Sequence, residues 1–239
     1  MSRFFTPQHC INNGEITVTG GDLNHIKNVL RKNIGDKIVC FGSSGIEYET
    51  ELISAGRSEA KLKILKERHK EVEPNIKVTL AQSLPKSSKM DDIIQKSTEL
   101  GVFEIIPLIT ERSVPRSDKN DRWNKIARES AEQSGRVHIP NVRKAVTLEE
   151  LLGSCSDYGL KILPWECENK TSIRTLLAQN KDLSSILLLI GPEGGFSATE
   201  AQKASEKGFK SVSLGKRILR TQTAGPAALA MIVYEMEME

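Results

Sequence analysis

The sequence predicts an α/β protein in two parts, a small β-barrel followed by a mainly parallel sheet with helices on both faces. Three observations carry this. From Ile76 onward, short apolar runs alternate with segments whose apolar residues recur at helical spacing, the pattern of βαβ units. Before about residue 70, strand-like runs are separated by glycine turns and interrupted by one helix. Between these parts, Lys66 to Asn75 is charged and ends in Pro74-Asn75, which places a linker there and divides the chain into residues 1–72 and 73–239. A length of 239 residues suits two such domains.

In the first part, Glu15–Thr19, Lys37–Phe41, Glu47–Ser54 and Glu59–Leu65 fit strands, with turns at Gly14, Gly42-Ser-Ser-Gly45 and Gly56. Asp22 suits a helix N-cap, with Leu23, Ile26, Val29 and Leu30 on one face. Closing so few strands into a barrel removes their exposed edges. In the second part, Ile76–Gln82 reads as a strand, Ser88–Leu100 as a helix stopped by Gly101, and Val102–Ile109 as the next strand. Asp121 can cap a helix carrying Trp123, Ile126, Ala127 and Ala131, ending near Gly135 and Pro140. Leu160–Pro164 and Ser185–Ile190 are strands around a helix at Ser172–Ala178.

The densest signals lie at the C-terminal end. Ser185 to Ile190 is a continuous apolar run, as expected of a strand covered on both faces. It ends in Gly191-Pro-Glu-Gly-Gly-Phe196, and Ser197-Ala-Thr-Glu200 then forms a capping box for a helix closed by Gly208. Ser211–Leu214 gives a further strand, Gly215 to Gly225 a second glycine-bearing loop, and Ala224–Tyr234 an apolar helix with Pro226 in its first turn. In open α/β sheets, ligands bind beyond the carboxyl ends of strands, where amides and helix N-termini are free. A lone glycine cluster is more often a plain strand-to-helix turn, and here the second loop shifts that balance.

Composition excludes several classes. The 34 basic and 31 acidic residues leave +3, too little to identify a nucleic-acid partner from net charge. Cys10, Cys40, Cys155 and Cys167 are far apart and the four histidines are scattered, so neither a disulfide framework nor a metal site is expected. No apolar stretch approaches the roughly 20 residues of a membrane span, and the N-terminus lacks a signal core, so a cytoplasmic protein is expected. G-x-G-x-x-G, P-loop and G-x-S-x-G patterns are absent. Between Glu111 and Lys144, nine basic residues (Arg112, Arg116, Lys119, Arg122, Lys125, Arg128, Arg136, Arg143, Lys144) face five acids, a local excess that Lys86 and Lys89 extend. Alone, such a charged stretch is more often a solvated face than an RNA site.

Leu-Ile-Gly-Pro-Glu-Gly-Gly-Phe-Ser (189–197), Leu-Gly-Lys-Arg-Ile-Leu-Arg-Thr-Gln-Thr-Ala (214–224), Thr-Glu-Leu-Gly-Val (98–102), Glu-Gln-Ser-Gly-Arg (132–136) and Arg3-Phe4-Phe5 together resemble the bacterial 16S ribosomal RNA uracil-N3 methyltransferases. These belong to the SPOUT class, whose sheet domain carries a deep trefoil knot. The resemblance implies a PUA-like RNA-binding barrel, a knotted methyltransferase domain, a homodimer, S-adenosyl-L-methionine as cofactor, and uridine 1498 of 16S ribosomal RNA in the small subunit as substrate. Pattern reading alone excludes a knot by default.

Under that resemblance the cofactor site is expected at Leu163, Trp165, Glu166, Ile190, Gly191, Glu193, Gly194, Gly195, Leu214, Gly215, Ile218, Leu219, Thr223 and Ala224. Gly194 and Gly195 allow close backbone approach, and Glu193 is placed to offset a sulfonium. Arg220, with Arg217 second, is expected to stabilise the uracil anion. The family commonly carries Glu where this chain has Gln222, and an amide is no carboxylate base, so Gln222 is expected only to orient the base or a water. Arg3, Lys86, Lys89, Arg112, Arg116, Arg128 and Arg136 are the expected RNA contacts. A non-enzymatic RNA-binding module with a vestigial pocket and a transfer RNA methyltransferase of the same class are the alternatives.

Overall fold

The computed structural model describes residues 3–42, 45–86, 89–113 and 119–237. The chain forms two compact units, Met1–Glu73 with Ala131–Ile139, and Pro74–Ser130 with Pro140–Glu239. Arg116, the expected helix start at Ser88 and part of the turn at 42–45 lie outside the described residues.

In the first unit, strands β1 (Arg3–Phe5), β2 (Ile11–Asn12), β3 (Glu15–Thr19), β4 (Lys37–Phe41), β5 (Ile46–Ala55) and β6 (Glu59–His69) make one sheet in the order β1-β4-β5-β6-β3-β2. Only β1 and β4 run parallel. Alternation decides the inner face: Tyr48, Thr50 and Leu52 on β5, and Ala60 and Leu62 on β6, are buried with Ile16, Ile26 and Ile38. Among the described residues the strand path is open, not the expected closed ring. Its edges β1 and β2 have three and two residues, and edges so short offer little to pair with. β6 also runs through Lys66–His69, where a linker was expected, because Lys66, Glu67 and Arg68 pair with Glu49, Tyr48 and Glu47. The expected helix capped by Asp22 starts earlier, as α1 (Gly20–Asn24) with Thr19 as N-cap, and continues as a π-helical turn over His25–Val29.

In the second unit, β7 (Lys77–Ser83), β8 (Glu104–Ile109), β9 (Asn141–Val142), β10 (Val146–Thr147), β11 (Leu160–Pro164), β12 (Ser185–Ile190) and β13 (Lys210–Val212) form a wholly parallel sheet. Its order is β10-β8-β7-β12-β11-β13, with β9 on β8. The helices are α2 (Lys89–Glu99), α3 (Asn120–Ser134), α4 (Leu148–Gly153), α5 (Ile173–Ala178), α6 (Ala198–Glu206) and α7 (Thr221–Glu237). β12 reads as an unbroken apolar run from Ile186 to Ile190, and β7 is buried from Val78 to Ser83, because both faces are covered. Alternate residues accordingly enter two cores: Leu188 and Ile190 join Ile94 and Leu229, while Leu187 and Leu189 join Phe196 and Ala204.

Local chemistry explains the boundaries. The Ser197–Glu200 capping box forms as expected, and α4 carries a second box, Thr147–Glu150, that the sequence reading missed. α7 starts at Thr221, so Pro226 lies beyond the first turn and cannot donate to the Gln222 carbonyl. The chain leaves β13 at the sheet's edge and returns to its centre, where the Thr221 hydroxyl meets the Gly191 carbonyl at the end of β12.

Candidate active site

The carboxyl ends of β11, β12 and β13 open onto one cavity of about 450 Å³. Three loops line it: Pro164 to Lys170 with Ser172, Gly191 to Phe196, and Ser213 to Leu219, with Thr221 and Ala224 opening α7. The volume is in the range of sites for drug-sized ligands.

The strand-end geometry builds this place. Ile190 is the last residue of β12, so the chain turns at Gly191 and Pro192 above the sheet. A side chain on Gly191 would stand 3.1 Å from the Phe196 ring, which packs beneath the loop in the second core. Gly195 has φ +67, and a Cβ there would collide with the Glu166 carboxylate. Only glycine lets these two loops approach so closely.

Of the expected cofactor residues, Trp165, Glu166, Ile190, Gly191, Gly195, Leu214, Gly215, Ile218, Leu219 and Ala224 line the cavity. Ile218 is 87 % exposed at its rim, an apolar side chain with nothing over it. Leu163, Glu193, Gly194 and Thr223 are not part of the lining. Leu163 is fully buried on the opposite sheet face, because it precedes Pro164 on a strand and alternation turns it into the second core. Glu193 instead accepts from the Lys86 amide at 2.9 Å and from Lys89 Nζ at 3.4 Å. Gly194 offers its carbonyl to Arg112 Nη1 at 2.6 Å. The carboxylates at the cavity are Glu166 and Glu168, of which the sequence reading named only the first. Glu168 accepts from the Lys170 and Thr171 amides at 2.6 and 3.0 Å, and these hold its carboxyl below the usual range.

The expected catalytic residues separate. Arg217 lines the cavity with Lys216; Arg220 lies outside the lining, where its carbonyl accepts from the Thr223 and Ala224 amides at 2.8 Å each as α7 begins. Gln222 is half-buried and also outside the lining, its Oε1 without a hydrogen-bond partner among the described residues. Sequence reasoning missed Phe196, Lys216, Thr221, Glu168 and Lys170. Phe196 and Lys216 sit inside the quoted motifs, and Thr221 adjoins Gln222.

The expected RNA contacts divide by burial. Arg136 is 4 % exposed and locked by Glu73: its Nε donates to Glu73 Oε2 at 2.9 Å, and the Val137 and His138 amides donate to Oε1. Arg3 pairs with Glu47 at 2.9 Å, donates to the Arg136 carbonyl at 3.2 Å and stacks on Phe41. Both arginines therefore serve the first unit's own structure rather than a surface for RNA. Lys89 is paired with Glu193; the Lys86 and Arg112 side chains are exposed, and Arg128 is half-buried on α3. Among the described residues no cluster of three or more His, Cys, Asp or Glu could hold a metal, and no helix is long and apolar enough to cross a membrane.

Comparison with known proteins agrees with this geometry. A family model described as an RNA methyltransferase domain matches residues 72–233, and one described as an RNA methyltransferase PUA domain matches residues 18–65. The chain is 35 % identical to "Ribosomal RNA small subunit methyltransferase E" of Bacillus subtilis (strain 168), over 100 % of this chain and 98 % of that one. The enzyme of the same name from Synechocystis is 36 % identical over 91 % of this chain and 72 % of that one. A crystal structure of the Neisseria gonorrhoeae ribosomal RNA small subunit methyltransferase E, bound to S-adenosyl methionine, superposes with a TM-score of 0.87 at 33 % identity, covering 97 % of this chain and 96 % of that one. The chain belongs to the family of RNA methyltransferases that join a PUA domain to a methyltransferase domain.

Proposed function

We propose that the protein methylates N3 of a uridine, position 1498, in the 16S ribosomal RNA of the small subunit, acting in the cytoplasm as a homodimer. The coarser statement is plain: it is an S-adenosyl-L-methionine-dependent methyltransferase of small-subunit ribosomal RNA. The observation that carries the finer reading is the cavity at three strand ends, with Arg217 on its wall and the apolar Ile218 at its rim.

The cavity fits the cofactor by its own chemistry. Ile190, Phe196, Leu214 and Leu219 offer apolar walls to an adenine, and the glycine backbone at 191, 195 and 215 offers amides and carbonyls for its edges. Glu166 takes the role expected of Glu193: it lines the cavity and makes no hydrogen bond or ion pair among the described residues, so its charge is available to offset a cation. When bound, S-adenosyl-L-methionine supplies an electrophilic methyl group on a positive sulfonium. The protein holds the uracil in line, which accounts for most of the acceleration. Arg217 is the cavity's guanidinium; held against a uracil carbonyl oxygen, it stabilises the anion left when the N3 proton departs to water at the mouth. Arg220, Lys86, Arg112, Arg116 and Arg128 are assigned to RNA phosphates.

α7 supports the dimer. Gly225, Pro226, Ala228, Leu229 and Ile232 are buried within the unit, while the other face carries the half-buried Ala227 and Ala230 and the exposed Met231 and Tyr234, Tyr234 at 63 % exposure. A face of this composition suits a second copy of the same helix. Mass spectrometry of small-subunit RNA from a deletion strain, complemented with the wild-type chain, tests the reaction. Loss of one N3-methyluridine and its restoration are expected, and an unchanged nucleoside profile refutes the reading. Light scattering at micromolar concentration is expected to give twice the chain mass of 26.5 kDa.

A further inference from the structure

β7 is a central strand of the parallel sheet, and near its carboxyl end it carries a carboxamide. Gln82 pairs across the sheet with Pro107 of β8 and Ile190 of β12, and is fully buried like Val78, Leu80 and Ala81 on the same strand. Its Nε2 donates to the Ser83 carbonyl at 3.1 Å and to Thr221 Oγ1 at 2.9 Å. Thr221 Oγ1 donates in turn to the Gly191 carbonyl at 2.6 Å. Chemistry fixes the direction of this relay. The carbonyls of Ser83 and Gly191 can only accept, so the amide nitrogen faces Ser83, and the Thr221 hydroxyl accepts from Gln82 while donating to Gly191.

Strand stability does not account for a glutamine here. Its Oε1 is buried without a hydrogen-bond partner among the described residues, and it fits only because Gly225 has no side chain: a Cβ there would stand 2.7 Å from that oxygen. An apolar residue would leave no acceptor unpaired. What the carboxamide does supply is a fixed hydroxyl. Gly191 is the residue at which β12 becomes the cavity loop, and Ile190, Gly191 and Thr221 all line the cavity.

We propose that Gln82 is a positioning residue for the cofactor site: through Thr221 it sets the plane of the Gly191 peptide, and so the face that the first cavity loop presents to S-adenosyl-L-methionine. Gln82 itself does not reach the cavity. This rests on the cavity being the cofactor site.

The test is calorimetry of S-adenosyl-L-methionine, with thermal melting, on the full-length chain and four variants. Thr221→Val and Gln82→Met are each expected to weaken binding about tenfold, the scale of one lost hydrogen bond, while still melting cooperatively. Thr221→Ser keeps the hydroxyl and is expected to recover most of the affinity that Thr221→Val loses. Gln82→Met with Thr221→Val is expected to bind no more weakly than Thr221→Val alone, because both changes break the same relay. A residue that serves packing alone would lower the melting temperature and leave affinity unchanged, or give additive losses. Wild-type affinity in Gln82→Met, or additivity in the double variant, overturns the proposal while leaving the site in place. If Thr221→Val does not fold, Gln82→Met and Thr221→Ser decide by the same criterion, and a wild-type chain that binds no S-adenosyl-L-methionine overturns the cavity assignment and the relay together.

Discussion

The loops at residues 191–196 and 213–220 border the same cavity and differ in how they are held. The first is tied at almost every residue: Gly191 to Thr221, Glu193 to Lys86 and Lys89, Gly194 to Arg112, and the Ser197 amide beyond it to Glu200 Oε2 at 2.9 Å. Glu200 Oε1 also accepts from the Glu111 amide at 2.9 Å, so the turns after β7, β8 and β12 share one network. The second loop is anchored at its two ends, where Ser213 bonds Thr171, Ile173 and Gly215 and the Arg220 carbonyl accepts from the Thr223 and Ala224 amides. Between them Lys216, Arg217, Ile218 and Leu219 make no hydrogen bond or ion pair among the described residues, and Lys216, Arg217, Ile218 and Arg220 are exposed. A loop whose polar groups are satisfied internally is formed before its ligand arrives. One that keeps cations and an isoleucine in water has its partners still to come. The first loop is thus suited to a small cofactor, with Leu214, Gly215 and Leu219 of the second beside it, while the exposed Lys216, Arg217 and Ile218 of the second suit the RNA.

The largest effect is expected where the tied loop is forced open. Gly195→Val puts a β-branched residue at φ +67 against Glu166, and calorimetry is expected to show no detectable S-adenosyl-L-methionine binding. The variant is expected to melt cooperatively, at a temperature lowered by the strain of about 1–3 kcal/mol that a positive φ imposes on a side chain. Binding retained in Gly195→Val would mean that the first loop is not preformed.

Next come the arginines of the second loop. Arg217→Ala is expected to lower kcat about 100-fold, the scale of one preorganised donor, while cofactor affinity is unchanged. Arg220→Ala is expected instead to raise KM for RNA and to make it less steeply dependent on salt, because one phosphate contact is lost. Single-turnover methylation of small-subunit particles at two salt concentrations separates them, and the reverse outcome would return the catalytic role to Arg220.

Ile218→Ser is expected to cost about tenfold in KM for RNA and little in cofactor affinity, as fits one isoleucine covered only in the complex. A loss confined to cofactor binding would place Ile218 with the tied loop.

The smallest effect concerns acid. Burial pushes the Glu193 carboxyl up, but its own amide, the Lys86 amide and the Lys89 ammonium outweigh this and hold it below its ordinary 4.5. A group with a depressed folded value contributes stability above its unfolded value and loses it as pH falls through the folded one. The contribution is therefore present at neutrality and fades below about pH 4.5. Glu193→Gln is expected to bind cofactor within about twofold of wild type at pH 7, as for an exposed pair, and to flatten the acid limb of the melting curve. An unaltered acid limb would remove Glu193 from the network.

What the sequence made legible was local. The capping box at Ser197 and the apolar strand at Ser185–Ile190 depend on neighbours a few residues away, and both stand where they were expected. The direction of Glu193 depends on Lys86, 107 positions earlier, so reading the loop alone aimed the carboxylate at the ligand. Arg136, in the basic stretch, and Arg3, in the N-terminal motif, both read as RNA contacts in the sequence. Only the fold shows that Glu47 and Glu73 lie against them. Gln82 carried no motif at all, since a buried glutamine in an apolar strand is visible only once its partner Thr221, 139 positions away, is in place.

Arg136 also bears on the order in which the molecule is made. The first unit needs Ala131–Ile139, yet Pro74–Ser130 of the second unit leaves the ribosome before that segment does. A chain stalled after Glu73 has all six strands of the first sheet, but the Glu73 carboxylate has not met the guanidinium that pairs with it in the finished protein. Domains usually complete themselves in the order of their synthesis. Here the N-terminal unit stays unfinished until β7, α2, β8 and most of α3 have been translated, so its maturation is coupled to that of its neighbour.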